Sequence, residues 1–218
     1  MLCAVDLASG RRYGRLMPNA PSFEFWFDFS SPYAYFGALQ VEEVAARHRR
    51  AVTWRPFLLG PVFAATGMQS LSRTPIRGDY ARRDWARLAR RMRVPFRIPD
   101  KHPVVSVTPA RAFYWIEQRD SATAIRFARR IFTAYYADGL DMTERPLVLG
   151  IAAELGLDTD ALNSALDADD LKQVFRARTD EALGRGIFGS PFFIVDGEPF
   201  WGADRLAMID DWLGRGGW

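Results

Sequence analysis

Residues 23–35 place a hydroxyl group where a predicted strand meets a predicted helix. Alternation of aromatic residues predicts a buried strand built on Phe23, Phe25, Phe27 and Phe29. Ser31 then occupies the N-cap position and Pro32 the first helical position. The hydroxyl is expected to lie beside unpaired backbone N–H groups and the positive end of a helix dipole. Such a position favours a bound anion, including a thiolate.

The thiol itself must come from elsewhere, because the chain has one cysteine, Cys3. A single cysteine forms no internal disulfide, and the first 21 residues lack the continuous apolar core of a secretory signal. We therefore predict a cytoplasmic protein. No run of about 18 apolar residues predicts a membrane span, and one cysteine with the distant His48 and His102 predicts no metal site.

The formal net charge of the 218 residues is +3, and almost all of the positive charge is arginine, which is densest between Arg73 and Arg97. A solvated helix face is the simplest interpretation of this region. Nucleic-acid binding is disfavoured because no recognition motif is present and Asp79 and Asp84 interrupt the basic residues. A third interpretation stays open, in which some arginines steer a small organic anion toward a cleft.

The order of predicted elements is strand, helix, strand, a long helical middle, a hairpin and a closing helix. Helices are predicted at residues 32–48, 78–92, 109–119, 122–136, 146–155, 159–165 and 168–183. The dipeptide Asp196-Gly197 between two β-rich runs predicts the hairpin, and Pro199 predicts that its second strand lies at a sheet edge. The pattern is a β-α-β half and a β-β-α half, with a helical block inserted between them.

Three motifs in the order expected for one family carry a resemblance that spans residues 23–213. They are residues 27–35 (FDFSSPYAY), 189–193 (GSPFF) and 200–205 (FWGADR), supported by residues 55–60 (RPFLLG). With them the chain resembles 2-hydroxychromene-2-carboxylate isomerases and the related kappa-class glutathione transferases of the DsbA-like superfamily.

The resemblance implies an α/β, thioredoxin-like fold with a large all-helical insertion. The corresponding domains are residues 23–59 with 187–218 for the thioredoxin-like part and residues 60–186 for the inserted helical part. Residues 1–22 are expected to be a disordered tail or an N-terminal extension, and translation starting at Met17 is an alternative.

The redox members of the superfamily carry a Cys-x-x-Cys pair at the turn between the first strand and helix. Ser31 and Ala34 stand at those two positions here. Because disulfide exchange needs an attacking thiolate and a second thiol, this chain is not expected to be a dithiol oxidoreductase. The resemblance implies instead that Ser31 hydrogen-bonds the sulfur of bound glutathione, whereas a plain helix cap is the structural alternative.

The same resemblance assigns the rest of the glutathione site. Pro191 is expected to be a cis-proline facing the turn, so that the backbone of Ser190 pairs with the cysteinyl main chain of glutathione. The residues that open the last helix are expected to hold the γ-glutamyl end, and they are Trp201, Gly202, Ala203 and Asp204. Asp204 could equally be a first-turn residue that complements the helix dipole.

The expected substrate wall comprises Phe63, Arg73 and His102, although a solvated His102 is the commoner case for a proline-rich loop. Relatives often place an asparagine soon after the second strand, where this chain has Gln69 instead. Asp28 is interpreted as a hydrogen-bonded structural carboxylate, with tuning of the site as the alternative.

The leading hypothesis is a glutathione-dependent cis–trans isomerase of 2-hydroxychromene-2-carboxylate or a similar unsaturated 2-oxo acid in aromatic degradation. A kappa-class-like transferase or peroxidase and a non-catalytic glutathione-binding module are the alternatives. Glutathione and a small-molecule substrate are the expected ligands, neither nucleic acid nor membrane is an expected partner, and relatives imply a homodimer.

Overall fold

The aromatic strand β1 (Phe23–Phe27) lies inside a four-stranded sheet of order β2-β1-β3-β4. The computed structural model describes residues 22–218. Strand β2 (Thr53–Pro56) runs parallel to β1, whereas β3 (Phe192–Val195) pairs antiparallel with β1 and with β4 (Glu198–Trp201). This is the predicted arrangement, and the central position of β1 explains its aromatic character, because both faces of the strand are covered.

The β3–β4 hairpin turns at the predicted dipeptide. Asp196 and Gly197 both have positive φ, 52° and 89°, the backbone that a tight two-residue hairpin requires and that Asp-Gly adopts readily. Pro199 lies in β4, the edge strand, where its missing N–H interrupts no ladder. The sequence prediction is confirmed here.

The structure contains ten α-helices, which are numbered α1 to α10 in chain order. They are Pro32–Ala38, Val41–Arg47, Leu59–Thr66, Arg77–Met92, Val107–Glu117, Ser121–Tyr136, Arg145–Glu154, Thr159–Ala165, Asp169–Gly184 and Leu206–Arg215. Short 3₁₀ helices cover Leu71–Arg73 and Ala203–Arg205. These counts refer to the described part of the chain.

One helix prediction was wrong, and one helix was not predicted. The helix predicted at residues 32–48 is two helices, α1 and α2, because the Gln40 side chain donates to the Phe36 carbonyl at 2.9 Å while its backbone N–H turns to Gly37. Helix α3 was missed; its first turn contains Gly60 and Pro61, and a proline is tolerated there because the first N–H groups of a helix have no partner within the helix. It ends at Gly67, which has a φ of 69°.

The helical block and the sheet share one hydrophobic core. Phe27 and Phe29 contact Phe132 of α6 at ring-centroid distances of 5.5 and 5.0 Å. The opposite face of the sheet carries a second cluster, in which Trp26 packs on Phe57. Packing of α6 on β1 fixes the helical block relative to the strand that leads into Ser31, and the division into two domains stays a prediction.

None of the helices between residues 22 and 218 has the length and apolar character needed to cross a membrane. Cys3, Met17 and nearly all of the predicted tail lie outside the described residues.

Candidate functional site

Ser31 caps α1 as predicted. Its backbone is extended, with φ −91° and ψ 114°, and its Oγ accepts a hydrogen bond from the N–H of Ala34 at 3.2 Å, with Pro32 at the first helical position. The residue is 7% exposed. The hydroxyl therefore sits in a nearly dry turn at the end of β1, where electrostatic interactions are stronger than in water.

The Ser31 hydroxyl also reaches the loop before β3. Its Oγ donates to the carbonyl oxygen of Ser190 at 2.7 Å. The Ser190–Pro191 peptide bond is cis, as the resemblance implied, and the Pro191 ring lies against Gly37 of α1. The Ser190 carbonyl, expected to be free for a ligand, is thus occupied by Ser31 in this structure.

Asp28 is a buried carboxylate that joins the segments around this turn. Its Oδ1 accepts from the N–H of Ser30 at 2.8 Å and from Ser106 Oγ at 2.7 Å, while its Oδ2 accepts from the N–H of Leu59 at 2.9 Å. Its own N–H donates to Ser190 Oγ at 2.8 Å. Burial raises the pKa of Asp28, and the donated hydrogen bonds act in the opposite direction.

The predicted γ-glutamyl site lies at the end of β4, beside Pro191. The N–H of Gly202 donates to the Pro191 carbonyl at 3.1 Å, and its φ of 108° suits glycine. Trp201 is half exposed, and its indole packs on Phe188. Ala203 is partly buried, whereas the exposed Asp204 carboxylate pairs with Arg205 at 3.0 Å. Of the four predicted residues, Gly202 is therefore hydrogen-bonded directly to the cis-proline that faces the Ser31 turn, and the other three are its neighbours in sequence.

His102 is half-buried rather than solvated, which corrects the simpler interpretation of this residue. Its ring packs on Trp85 at 5.9 Å, and its Nδ1 lies 3.4 Å from the Tyr135 hydroxyl. Burial and the charges of Arg82 and Arg73 lower the pKa of His102 to about 4. Of the predicted substrate wall, the structure therefore brings His102 and Arg73 into electrostatic range of each other.

The other predicted wall residue, Phe63, lies on α3 and is partly buried, while Gln69 is exposed beyond the end of that helix. Helix α3 begins at Leu59, whose N–H is held by Asp28. The position of Phe63 is consequently linked to the Ser31 turn through one carboxylate.

Sequence reasoning missed three residues that the structure brings to this region. Tyr33 donates from its hydroxyl to Asp84 Oδ2 at 3.0 Å, which ties α1 to α4. Ser106, at the start of α5, donates to Asp28. Tyr33 lies inside the quoted motif and could have been proposed, whereas nothing near Asp84 or Ser106 in sequence indicates these contacts.

Among residues 22–218 there is no group of three or more histidine, cysteine, aspartate or glutamate side chains arranged to hold a metal ion. The candidate site is built from the Ser31 hydroxyl, backbone groups and a neighbouring aromatic wall.

The fold and the site define a thioredoxin-like protein with a helical insertion and a serine in place of the nucleophilic thiol. The model of the DSBA-like thioredoxin domain matches residues 23–214. The chain belongs to this DSBA-like thioredoxin domain family, which confirms the predicted fold class.

Two curated relatives and one solved structure are similar to nearly the whole chain. Glutathione S-transferase kappa 2 of Caenorhabditis elegans is 30% identical over 210 residues, covering 90% of this chain and 93% of the relative. A 2-hydroxychromene-2-carboxylate isomerase of Sphingobium xenophagum is 27% identical over 194 residues, covering 88% and 97%. The structure of a 2-hydroxychromene-2-carboxylate isomerase superposes with a TM-score of 0.81 at 25% identity, covering 88% and 94%. The predicted resemblance is confirmed at the level of these homologues.

The environment of His102 predicts a pH dependence of stability. Folded His102 takes up a proton near pH 4, whereas in the unfolded chain it does so near 6.5. Between these values the unfolded state binds more protons, so this group makes the free energy of unfolding rise as pH rises from about 4 to 6.5. Urea unfolding at three pH values should show a shallower rise for His102→Gln than for the wild type, and parallel profiles would contradict the assigned burial.

Proposed function

We propose that the protein is a glutathione-dependent isomerase that acts on 2-hydroxychromene-2-carboxylate or a similar unsaturated 2-oxo acid. Homologues that are isomerases and kappa-class glutathione transferases support this assignment. The observation that carries it is the buried Ser31 hydroxyl, held 2.7 Å from the Ser190 carbonyl at the strand-to-helix turn. A hydroxyl donor and a peptide group thus lie together where redox relatives keep their thiols.

Glutathione binding is proposed to exchange this internal hydrogen bond. Because a serine hydroxyl has one proton, Ser31 Oγ can donate either to the Ser190 carbonyl or to an incoming sulfur, but not fully to both. When it turns to the sulfur, the Ser190 carbonyl becomes free to accept the cysteinyl N–H of glutathione. The exchange keeps each polar group paired, and donation to the thiolate lowers the thiol pKa below its usual value of about 8.5.

The remaining parts of glutathione and substrate are assigned to the neighbouring surfaces. Exposed Asp204 suits the γ-glutamyl ammonium group once it exchanges its pairing with Arg205. Arg73 is exposed and its charge acts on His102, so it suits the carboxylate of a 2-oxo acid. Phe63 on α3 supplies an apolar contact for an aromatic substrate.

The chromene carboxylate gives the open unsaturated 2-oxo acid when the ring C–O bond of its hemiketal breaks and the hydroxyl proton passes to the phenol oxygen. The proposed reaction is reversible addition of the thiolate to this open form. The glutathione sulfur forms a bond to the β carbon of the conjugated double bond, and the electron pair moves to the carbonyl oxygen as an enolate. Rotation then takes place about the carbon–carbon bond that was double before the addition. Return of the electron pair restores the double bond and expels the thiolate. Glutathione leaves unchanged, so it acts as a cofactor.

A kappa-class-like transferase is the second candidate, favoured by the 30% identity to glutathione S-transferase kappa 2 over nearly the whole chain. The same Ser31 site would then activate glutathione for attack on an electrophile, and the sulfur would stay bonded to the product. The two functions differ in whether free thiol is consumed.

Thiol titration during turnover tests the proposal. We expect the absorbance of 2-hydroxychromene-2-carboxylate to change catalytically in the presence of glutathione, while free thiol measured with a disulfide dye stays constant. A parallel assay with 1-chloro-2,4-dinitrobenzene reports conjugation. If thiol is lost stoichiometrically with the haloarene and the chromene is not isomerised, the protein is a transferase and the isomerase assignment is wrong.

A further inference from the structure

Two polar atoms near His102 are buried without a hydrogen-bond partner within residues 22–218. They are the indole Nε1 of Trp85 and the hydroxyl oxygen of Tyr136. Trp85 is 2% exposed and Tyr136 is 0% exposed. A buried polar atom without a partner destabilises a folded protein, so two such atoms on side chains around one imidazole indicate a ligand or another functional reason.

Both side chains contact the same imidazole. Ring centroids of Trp85 and Tyr136 lie 5.9 and 6.2 Å from that of His102, and Tyr135 brings its hydroxyl to 3.4 Å from Nδ1. These residues come from α4, α6 and the loop before α5. We call Trp85, His102, Tyr135 and Tyr136 the donor cluster.

The unpartnered groups of the donor cluster are hydrogen-bond donors. An indole N–H only donates. Burial, together with the neighbouring Tyr135 and the Asp28 carboxylate, raises the pKa of Tyr136, so its phenol stays protonated at neutral pH. His102 is neutral there and keeps one N–H. A ligand atom that satisfies this cluster is therefore an acceptor, such as a carbonyl or enolate oxygen.

The donor cluster adjoins the Ser31 turn. Tyr33, two residues beyond Ser31, packs on Trp85 at a ring-centroid distance of 5.9 Å. On the other side, the Asp28 carboxylate is close enough to influence both Tyr135 and Tyr136. An electrophile that meets a sulfur at Ser31 can thus extend toward the cluster.

We propose that the Tyr136 hydroxyl and the Trp85 indole N–H bind the electrophile's carbonyl oxygen, which becomes the enolate oxygen when the thiolate adds. This inference rests on the proposed function and names the oxygen-binding part of the same site. As the carbon–sulfur bond forms, the electron pair of the double bond reaches that oxygen, and the two donors stabilise its charge without a proton being transferred. When the pair returns, the carbon–sulfur bond breaks and the donors release the product. Fixed donors in a dry site typically accelerate such steps by about 10²–10³-fold each.

Tyr136→Phe tests the proposal because it removes one hydroxyl and keeps the ring. We expect isomerase kcat to fall by about 10²-fold, glutathione affinity measured by calorimetry to stay unchanged, and the melting temperature to stay equal or rise, since no protein hydrogen bond is lost. Tyr35→Phe is the matched control. Its hydroxyl donates to the Pro95 carbonyl at 2.9 Å and its ring contacts Tyr136, so that variant should melt earlier and retain kcat.

Trp85→Phe provides an independent variant with the same expected fall in kcat. The proposal is overturned if Tyr136→Phe has the kcat of the wild type. It is also overturned if Tyr35→Phe loses as much rate as Tyr136→Phe. If the wild type does not isomerise the chromene, binding of 4-phenyl-2-oxobutanoate, which has no double bond for addition, replaces kcat as the readout. A tenfold weaker affinity in Tyr136→Phe would then support the donor cluster although the proposed reaction had failed, and equal affinities would overturn it.

Discussion

Replacement of Ser31 by alanine is expected to lower glutathione-dependent turnover by about 10²-fold or more. The variant loses the hydroxyl at the N-cap of α1, which is the group proposed to donate its proton to the sulfur. A hydrogen bond to a charged acceptor is worth about 1.5–3 kcal/mol. Without it the bound thiol should ionise at a higher pH, and ultraviolet absorbance of the thiolate measures this directly as a raised pKa of bound glutathione.

The loss of activity must be separated from the loss of a helix cap. Ser31→Ala also removes the acceptor for the Ala34 N–H, a change that costs about 1 kcal/mol of stability. Asp158→Ala removes a comparable cap from α8, so it should lose similar stability while keeping full turnover. Ser31→Thr retains a hydroxyl and should recover much of the rate. If Ser31→Ala turns over like the wild type, the sulfur is not activated by this residue.

Local patterns predicted most of the elements around the site. Ser31 and Pro32 form the predicted cap, because capping depends on residues within one turn of each other. The Asp196-Gly197 turn also depends on two adjacent residues with positive φ. Where neighbours in sequence determine the backbone, a single sequence was sufficient.

Contacts between distant segments could not be predicted in this way. Asp28 meets Leu59, Ser106 and Ser190 across 31, 78 and 162 positions of the chain. The periodicity of a sequence does not predict contacts between such distant residues, because these contacts arise when the segments that begin α3 and α5 and precede β3 pack around the end of β1. The hydrogen bond from Ser31 to the Ser190 carbonyl could not be predicted for the same reason, since it depends on how closely two loops approach each other.

The burial of His102 shows the same limit for a single residue. A proline-rich loop in a sequence indicates a solvated position, yet packing of α4 and α6 covers the ring with Trp85 and Tyr135. The sequence suggested the residue through the resemblance, but only the fold supplied the aromatic surroundings that keep it neutral.

Asp28→Asn is expected to lower both stability and turnover, although the amide has the shape of the carboxylate. Both carboxylate oxygens accept from backbone N–H groups, Oδ1 from Ser30 and Oδ2 from Leu59. An amide nitrogen cannot accept a hydrogen bond, so in either orientation of the introduced amide one backbone donor faces another donor. We expect the free energy of unfolding to fall by about 2–4 kcal/mol, measured by urea unfolding.

The catalytic loss in Asp28→Asn should exceed what global unfolding explains. Release of Leu59 frees the start of α3 and with it Phe63, while release of Ser30 loosens the turn that holds Ser31. Misplacement by about 1 Å can reduce a rate about 10²-fold. Turnover measured well below the melting temperature should therefore fall by about that factor, with a raised KM for the chromene carboxylate as well as a lower kcat.

Two further variants determine whether Asp28 acts through these contacts. Ser106→Ala removes one donor to Oδ1 but leaves both backbone donors satisfied, so its effects on stability and rate should be much smaller. Asp79→Asn makes the same chemical change on an exposed side chain of α4 and should change neither quantity. Because Asp28 and Ser106 share a hydrogen bond, their double variant should be less destabilised than the sum of the single ones. Additive losses, or full activity in Asp28→Asn, would mean that the carboxylate does not position the site.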